Sequence, residues 1–466
     1  MFTFFSKKCI IAVSIILMLP LCTLRAQNQS LLELVNAADN YLPVLKEKQA
    51  NINAAKASIT QLKHSFLPQL SVNDQLNIGT SNSLDGGYLP IGNSVNPSVS
   101  GGIRTDNVST ASTGNFATLY TQYDITTFGL RNAQVASANA NVSVQNADKR
   151  KETYITDANV TTLYLQLLKN EYQLSADVQN IERYKSIYSV IHSLTVSGLK
   201  AGADSSLAKA ELAQSNIKYN LTLGKINGLK QQLAYVTGIP AESINIDTTL
   251  QHNVFYKQIE YPAYAMDTVN NPIIDYYAQQ KNYLLANDKV IRKSYAPRIL
   301  IAGSGWVRGS SLDPTTDKND ALIQGMGLQR YNYMAGVAVT YNLFNSIYKK
   351  DKLNVNRYQI EASDYNLQQQ KLALASSMLQ ADESLRITEA NLQQLPVQLS
   401  SAKDTYDQKM AQYKAGIISL IDLANASFVL YRSQTDFIEA RSDWYLALLN
   451  KAISTGNLDQ FIQLIK

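Results

Sequence analysis

The chain has 466 residues, 45% of them hydrophobic and 17% charged, with a formal net charge of +5 and a mean hydropathy of −0.17. Only 21 glycines and 11 prolines stand against 28 tyrosines, a balance that favours long helices over a loop-rich fold. The charge is too mild and too dispersed for a nucleic-acid partner, and three histidines with two cysteines leave little material for a metal or nucleophilic site.

Residues 1–26 read as a secretory signal peptide. Lys7 and Lys8 form a basic start, Ile10 to Leu21 an apolar run, and Ala26 precedes a polar stretch from Gln27. The apolar run is shorter than the ~20 residues of a spanning helix. Cys22 offers a lipoprotein alternative, but Leu19-Pro20-Leu21 sets a bulky residue where such processing prefers a small one. Both cysteines, Cys9 and Cys22, fall in this segment, so the rest of the chain carries no thiol, as suits an oxidising compartment such as the periplasm. Beyond residue 26 no apolar run is long enough for a membrane helix. Any segment that enters a membrane must therefore be a strand.

The remainder is written twice. Pro43 and Pro68 reappear as Pro272 and Pro297, and Lys63-His64-Ser65-Phe66-Leu67-Pro68 faces Arg292-Lys293-Ser294-Tyr295-Ala296-Pro297. Further on the offset shortens, so that Tyr123-Asp124-Ile125 faces Tyr341-Asn342-Leu343 and Thr237-Gly238 faces Thr455-Gly456. The first copy spans 27–238 and the second 271–456, with a connector at 239–270 and a tail at 457–466.

Each copy is predicted to open with a helix, over about 30–66 and 272–295, that ends before Pro68 or Pro297. Period-two alternation follows. Leu70, Val72, Leu76 and Ile78 alternate with Gln69, Ser71, Asn73, Gln75 and Asn77, and Tyr331 to Leu343 alternate likewise. Partner strands are expected near 115–125 and 298–308, across loops at about 79–114 and 309–330, giving four strands per chain. Trp306 and the Tyr331/Tyr333 pair fit an aromatic girdle.

Two long helices come next, each of about 65–70 residues, or ~100 Å. Val160, Leu167, Leu174, Ile181 and Tyr188 keep heptad spacing in one, and Leu353 to Leu374 and Leu385 to Tyr413 in the other, with a stutter in each. Pro396 predicts a kink. Return helices over about 203–237 and 420–455 close two hairpins, with tips near 198 and 416.

Four two-faced strands are too few for a membrane barrel, since known barrels start near eight and open edges are not tolerated in lipid. The chain must share a barrel with other copies, while its polar helices project out of the membrane. The rival reading is an exported coiled-coil structural protein or adhesin of the cell envelope, which accounts for the heptads but not for strands at equivalent places in both copies. No paired catalytic carboxylates, nucleophile elbow or phosphate loop stands out, so no enzyme, metal or cofactor is expected; a periplasmic enzyme would lack a site. His64, His192 and His252 are isolated from one another.

Asn271-Pro272 opening the second copy, the Pro68 and Pro297 helix-to-strand junctions, and the two hairpin tips carry a resemblance. One tip reads Ser197-Gly198-Leu199 with Asp204 and Ala208 after it, and the other Ala415-Gly416-Ile417 with Asp422 and Ala426. The chain resembles the TolC-like outer-membrane efflux protein family over essentially its whole length past residue 26. That resemblance implies a mainly α fold with membrane β strands: a homotrimer whose twelve-stranded barrel runs into an α-helical periplasmic barrel. It implies an exit duct for small molecules or peptides, contact with outer-membrane lipid, and a periplasmic adaptor at Gly198, Leu199, Gly416 and Ile417. An inner-membrane pump of RND or ABC type would be an indirect partner. It also implies that Asp422, with Asp204, sits at the periplasmic aperture. Asn425 and Ile418 stand where the family can carry a second aspartate and an arginine, which leaves a single ring of Asp422 carboxylates; like charges close together would raise their pKa and could bind a cation. Asp204 and Asp422 also lie near helix starts, where a carboxylate is favoured for its own sake.

Overall fold

The computed structural model describes residues 29–80, 82, 104–246, 270–313, 315–316 and 318–465. The expected signal peptide, most of the 79–114 loop and most of the 239–270 connector lie outside the described residues. The described helices are α1 (Leu31–Tyr41), α2 (Pro43–His64), α3 (Leu130–Val196), α4 (Gly202–Thr237), α5 (Pro272–Ser294), α6 (Asn345–Lys414), α7 (Leu420–Thr455) and α8 (Leu458–Leu464). The strands are β1 (Gln69–Gly79), β2 (Ser112–Thr126), β3 (Arg298–Ser310) and β4 (Arg330–Thr340). The chain divides into two compact units: Met1–Gln49 with Ala147–Tyr276 and Gln368–Lys466, and Ala50–Asn146 with Tyr277–Leu367.

The first unit is helical. Ser30 starts α1 with a reciprocal cap, its hydroxyl accepting from the Glu33 N–H while the Glu33 carboxylate accepts from the Ser30 N–H. Leu31, Leu34, Val35 and Ala38 then fall on one buried face. They join a core built around Tyr164, Leu167, Leu233, Trp444, Tyr445 and Phe461. The helix expected over 30–66 is two helices, because Pro43 has no N–H to continue α1 and instead opens α2. In the second copy Pro272 opens α5 in the same way, and Asn271 stands ahead of it. Asn271 is fully buried, its carbonyl oxygen accepts from Ile273 N–H at 2.9 Å, and its amide donates to the Ile453 carbonyl at 3.0 Å, tying the start of α5 to the end of α7.

Polar residues also hold this unit together. Asp177 is 1% exposed, and its carboxylate accepts from Tyr431 Oη (2.7 Å), Gln173 Nε2 (2.9 Å) and Thr222 Oγ1 (2.6 Å). One buried charge thereby joins α3, α4 and α7 with its lone pairs satisfied. Pro396 lies inside an uninterrupted α6.

The second unit contains a four-stranded antiparallel sheet in the order β1-β2-β3-β4. Its register sorts the side chains. Directly opposed residues share a face, so Leu70, Val72, Leu76 and Ile78 lie with Leu119, Tyr123, Ile301, Val307, Tyr331, Tyr333, Val337 and Val339. Asp74 is the charged exception on this face, on an edge strand. The other face carries Gln69, Ser71, Asn73, Gln75, Asn77, Thr118, Gln122, Ser304, Arg308 and Asn332. Trp306 pairs with Thr118 and Asn332, which puts it on this polar face and away from Tyr331 and Tyr333. The single girdle expected from these three aromatics is therefore split, because one residue of register changes the face. Strand β4 ends at Thr340, so Tyr341 and Leu343 lie beyond it. Neither β1 nor β4 has a second neighbour among the described strands.

A buried acidic pair in the first unit generates a testable pH effect. The Asp157 carboxyl on α3 is buried, and the Asp39 carboxyl on α1 acts on it as a like charge. Burial, then the Asp39 and Asp459 charges, push Asp157 up to about 8. The folded chain thus keeps a proton that the unfolded chain releases at ordinary carboxylate pH, and stability falls as pH rises from about 4 to about 8. Asp157→Asn should flatten that slope, read from thermal melting of the detergent-solubilised protein at a series of pH values.

Candidate aperture at the hairpin tips

The two tips are built alike. Helix α3 ends when Gly198 takes φ +75° and helix α6 when Gly416 takes φ +74°. In each, the following N–H reaches back five residues: Leu199 to the Leu194 carbonyl (2.8 Å) and Ile417 to the Gln412 carbonyl (3.0 Å). Nothing lies within 4 Å of a Cβ at either glycine, so the left-handed backbone alone requires them within one chain. Leu199 and Ile417 stand 71% and 72% exposed at the tips.

Below the tips the hairpins pack on each other through Tyr184, Ile187, Ile191, Ala208, Tyr413, Leu420 and Leu423. Ala208, four residues past Asp204, is buried in this cluster, and Ala426 is buried in the matching place on α7. Ile418 also packs against the cluster, so an apolar side chain fills the position where the family can carry arginine.

The two aspartates are not equivalent. Asp422 caps α7: its carboxylate accepts from Ser419 Oγ (2.6 Å) and Ser419 N–H (3.1 Å), while its own N–H donates to Ser419 Oγ (3.2 Å). The Ser419 hydroxyl, then the Ser419 backbone, and more weakly Lys409 hold this carboxyl below the usual carboxylate range. Within one chain Asp422 is therefore an ionised, exposed cap, and any upward shift has to come from other copies. Residue 201 is alanine where the second copy has Ser419, so α4 starts without a side-chain cap. Asp204 lies instead beside Tyr413, whose hydroxyl is pushed up by burial and then by the Asp204 charge, and Lys200 Nζ sits 5.5 Å from the centre of the same ring.

Pro68 and Pro297 immediately precede β1 and β3. Their junctions border a cleft lined by Phe66, Leu67, Pro297 and Arg298, with Arg131 between the Phe66 and Tyr123 rings at 5.3 and 5.1 Å. Arg131 donates to the Asp124 carbonyl at 2.7 Å, and Arg298 pairs with the Asp124 carboxylate. These junctions brace the turn from helix to strand. Reading the sequence missed Asp177, Arg131 and Asp39 with Asp157, because nothing in a polar helix marks which of its charges faces inward. Among the described residues no group of three His, Cys, Asp or Glu is placed to hold a metal, and no helix is long and apolar enough to cross a membrane.

The fold has solved counterparts. CmeC, the outer membrane channel of Campylobacter jejuni, superposes with a TM-score of 0.71 at 14% identity, covering 93% of this chain and 87% of that one. The outer membrane protein VceC of Vibrio cholerae gives 0.70 at 12% identity, with 91% and 96% covered. The open state of the MtrE outer membrane channel of Neisseria gonorrhoeae gives 0.67 at 15% identity, with 92% and 89% covered. No curated protein matches the chain. A sequence model of the family described as Outer membrane efflux protein matches residues 34–238 and 268–455, both repeats in turn, and the chain therefore belongs to the outer membrane efflux protein family.

Proposed function

We propose that this chain forms a homotrimeric, passive exit duct of a tripartite efflux or type I secretion system. The observation that carries the reading is a sheet with one apolar face, one polar face and two unpaired edges. An apolar face exposed at Val72 (74%), Tyr333 (84%) and Val337 (68%) suits lipid, and the polar face suits a water-filled lumen. The open edges of β1 and β4 must pair in a bilayer. Three copies joined edge to edge give a twelve-stranded barrel. Helix α6 adds a second argument for self-association: Tyr358, Tyr365, Leu372 and Leu379 are 60–67% exposed at seven-residue spacing, a seam without a partner in one chain.

In this reading the strand-connecting loops, about 79–114 and 309–330, face the exterior and the helices extend into the periplasm. Small molecules or peptides enter from the periplasm or from an inner-membrane pump of RND or ABC type and leave through the lumen. Energy is supplied elsewhere, and the duct has no catalytic step. A periplasmic adaptor docks at the tips, where Leu199 and Ile417 present apolar side chains and Gly198 and Gly416 leave open space for its backbone. Asp422 and Asp204 line the aperture, with the Asp422 carboxylates of three copies forming a ring of like charge. Trimer formation would raise the pKa of that ring against the downward pull of Ser419. The signal peptide at 1–26 directs export.

The native mass of the detergent-extracted protein from isolated outer membranes tests the assembly. A trimer is expected, and a monomer or dimer absent from the membrane fraction would hand the case to the coiled-coil structural reading. Asp422→Ala should raise the leak conductance of the closed channel in planar bilayers and weaken block by divalent cations. Unchanged conductance with unchanged block would leave Asp422 as a helix cap only. A charged insertion within 85–105 should leave outer-membrane assembly intact, and loss of assembly would contradict an exterior loop.

A further inference from the structure

The segment between β3 and β4 does not simply extend past the sheet. Its 3₁₀ turn, Leu322–Met326, folds back onto the ends of β2 and β3. Thr113 Oγ1 donates to the Leu322 carbonyl and Asn115 Nδ2 to the Met326 carbonyl, the latter at 2.9 Å. Thr113 and Asn115 project from the apolar face of the sheet, the one that carries Leu119, Tyr331 and Tyr333. Gly309 lies on that face too, and a Cβ there would clash with the Gly327 carbonyl oxygen. The turn is therefore seated on the apolar face, in room left by a missing side chain.

Its outer surface carries four exposed apolar side chains. Ile323 is 70% exposed, Leu328 58%, Met326 43% and Leu322 42%, and the strand leading away from them continues with Tyr331 and Tyr333. Such a contiguous apolar patch marks an interaction site. The backbone beneath it is suited to a dry environment: besides the Leu322 and Met326 carbonyls, the Gln324 carbonyl accepts from Gln329 Nε2 (3.0 Å) and Gly327 N–H (3.2 Å), and the Gln324 N–H donates to the Ala321 carbonyl (2.9 Å). Satisfied backbone groups are what hydrocarbon demands of an irregular segment.

We propose that this turn is a lipid-seated foot, with Leu322, Ile323, Met326 and Leu328 lying among the acyl chains of the outer leaflet. The inference rests on the membrane placement of the sheet proposed above. Lipid is the occupant because the turn is seated directly on the apolar sheet face, at Thr113, Asn115 and Gly309, and adds its own apolar side chains to that face. The foot adds to the membrane-facing surface at the last rungs of the sheet, over β2 and β3.

Single cysteines at Ile323, Val337 and Lys318 test it, each labelled with bimane and reconstituted in phosphatidylcholine vesicles with nitroxide-bearing acyl chains. The unsubstituted chain reports background labelling at Cys9 and Cys22. Fluorescence at 323 should be lost to the nitroxide lipid to an extent comparable with 337 and be shielded from aqueous iodide, while 318 shows the reverse. Gly309→Val, which forces the Gly327 carbonyl away, should shift the 323 probe from nitroxide to iodide quenching and leave 337 unchanged. Iodide quenching at 323 in the parent chain, with 337 still quenched by lipid, would overturn the foot. Shielding of 323 from both quenchers would also overturn it and assign the patch to a second copy. Failure of lipid quenching at 337 would overturn the membrane placement of the sheet itself.

Discussion

A backbone N–H or carbonyl facing hydrocarbon without a partner costs several kcal/mol, and this constraint governs how the sheet of this protein can exist. The strands of one chain satisfy one another only in the interior of the order β1-β2-β3-β4. The outer edges of β1 and β4 are left for other copies, and the alternation of apolar and polar residues leaves one face for lipid and one for water. The proposed trimer follows from these two requirements together. The turn at Leu322–Met326 follows the same rule on a smaller scale at three of its carbonyls, those of Leu322, Gln324 and Met326, which accept from Thr113, Gln329 and Asn115.

The duplicated halves share a backbone plan but not their chemistry. At the start of the second copy Asn271 ties α5 to the end of α7 with its amide, whereas the first copy has Leu42 before Pro43 and no such side chain. At the tips Ser419 and Asp422 cap α7 reciprocally, while Ala201 leaves Asp204 to face Tyr413. The buried Asp177 clasp in α3 has Leu395 at the matching place in α6, also buried. A closed ring made of such chains has two kinds of hairpin in alternation. Only one kind carries an aspartate fixed by its own helix start, which is why Asp422 is the stronger candidate for the aperture.

Much of the architecture could be read directly. The return helices expected over about 203–237 and 420–455 stand at Gly202–Thr237 and Leu420–Thr455, and the long helices have 67 and 70 residues. The heptad residues Val160, Leu167 and Leu385 are buried as packing residues. These features are legible because a heptad or an alternation is repeated many times, so a single exception does not erase it. Single events were not legible. The break between α1 and α2 depends on one proline that sits equally well inside a longer pattern. The side of the sheet taken by Trp306 depends on pairing with Thr118 and Asn332, partners that sequence spacing within one strand does not name.

The sequence by itself determined the duplication, the element types, the two-faced strands and the tips, because these are written in local periodicity and in glycines such as Gly198 and Gly416, which take the left-handed backbone that other residues disfavour. The tertiary structure decided which polar residues are buried and with whom. Asp177 with Tyr431 and Thr222, Asp39 with Asp157, and the turn on Gly309 are meetings of segments far apart in the chain. Their energetics turn on burial and partnership, and neither exists until the helices and strands have packed.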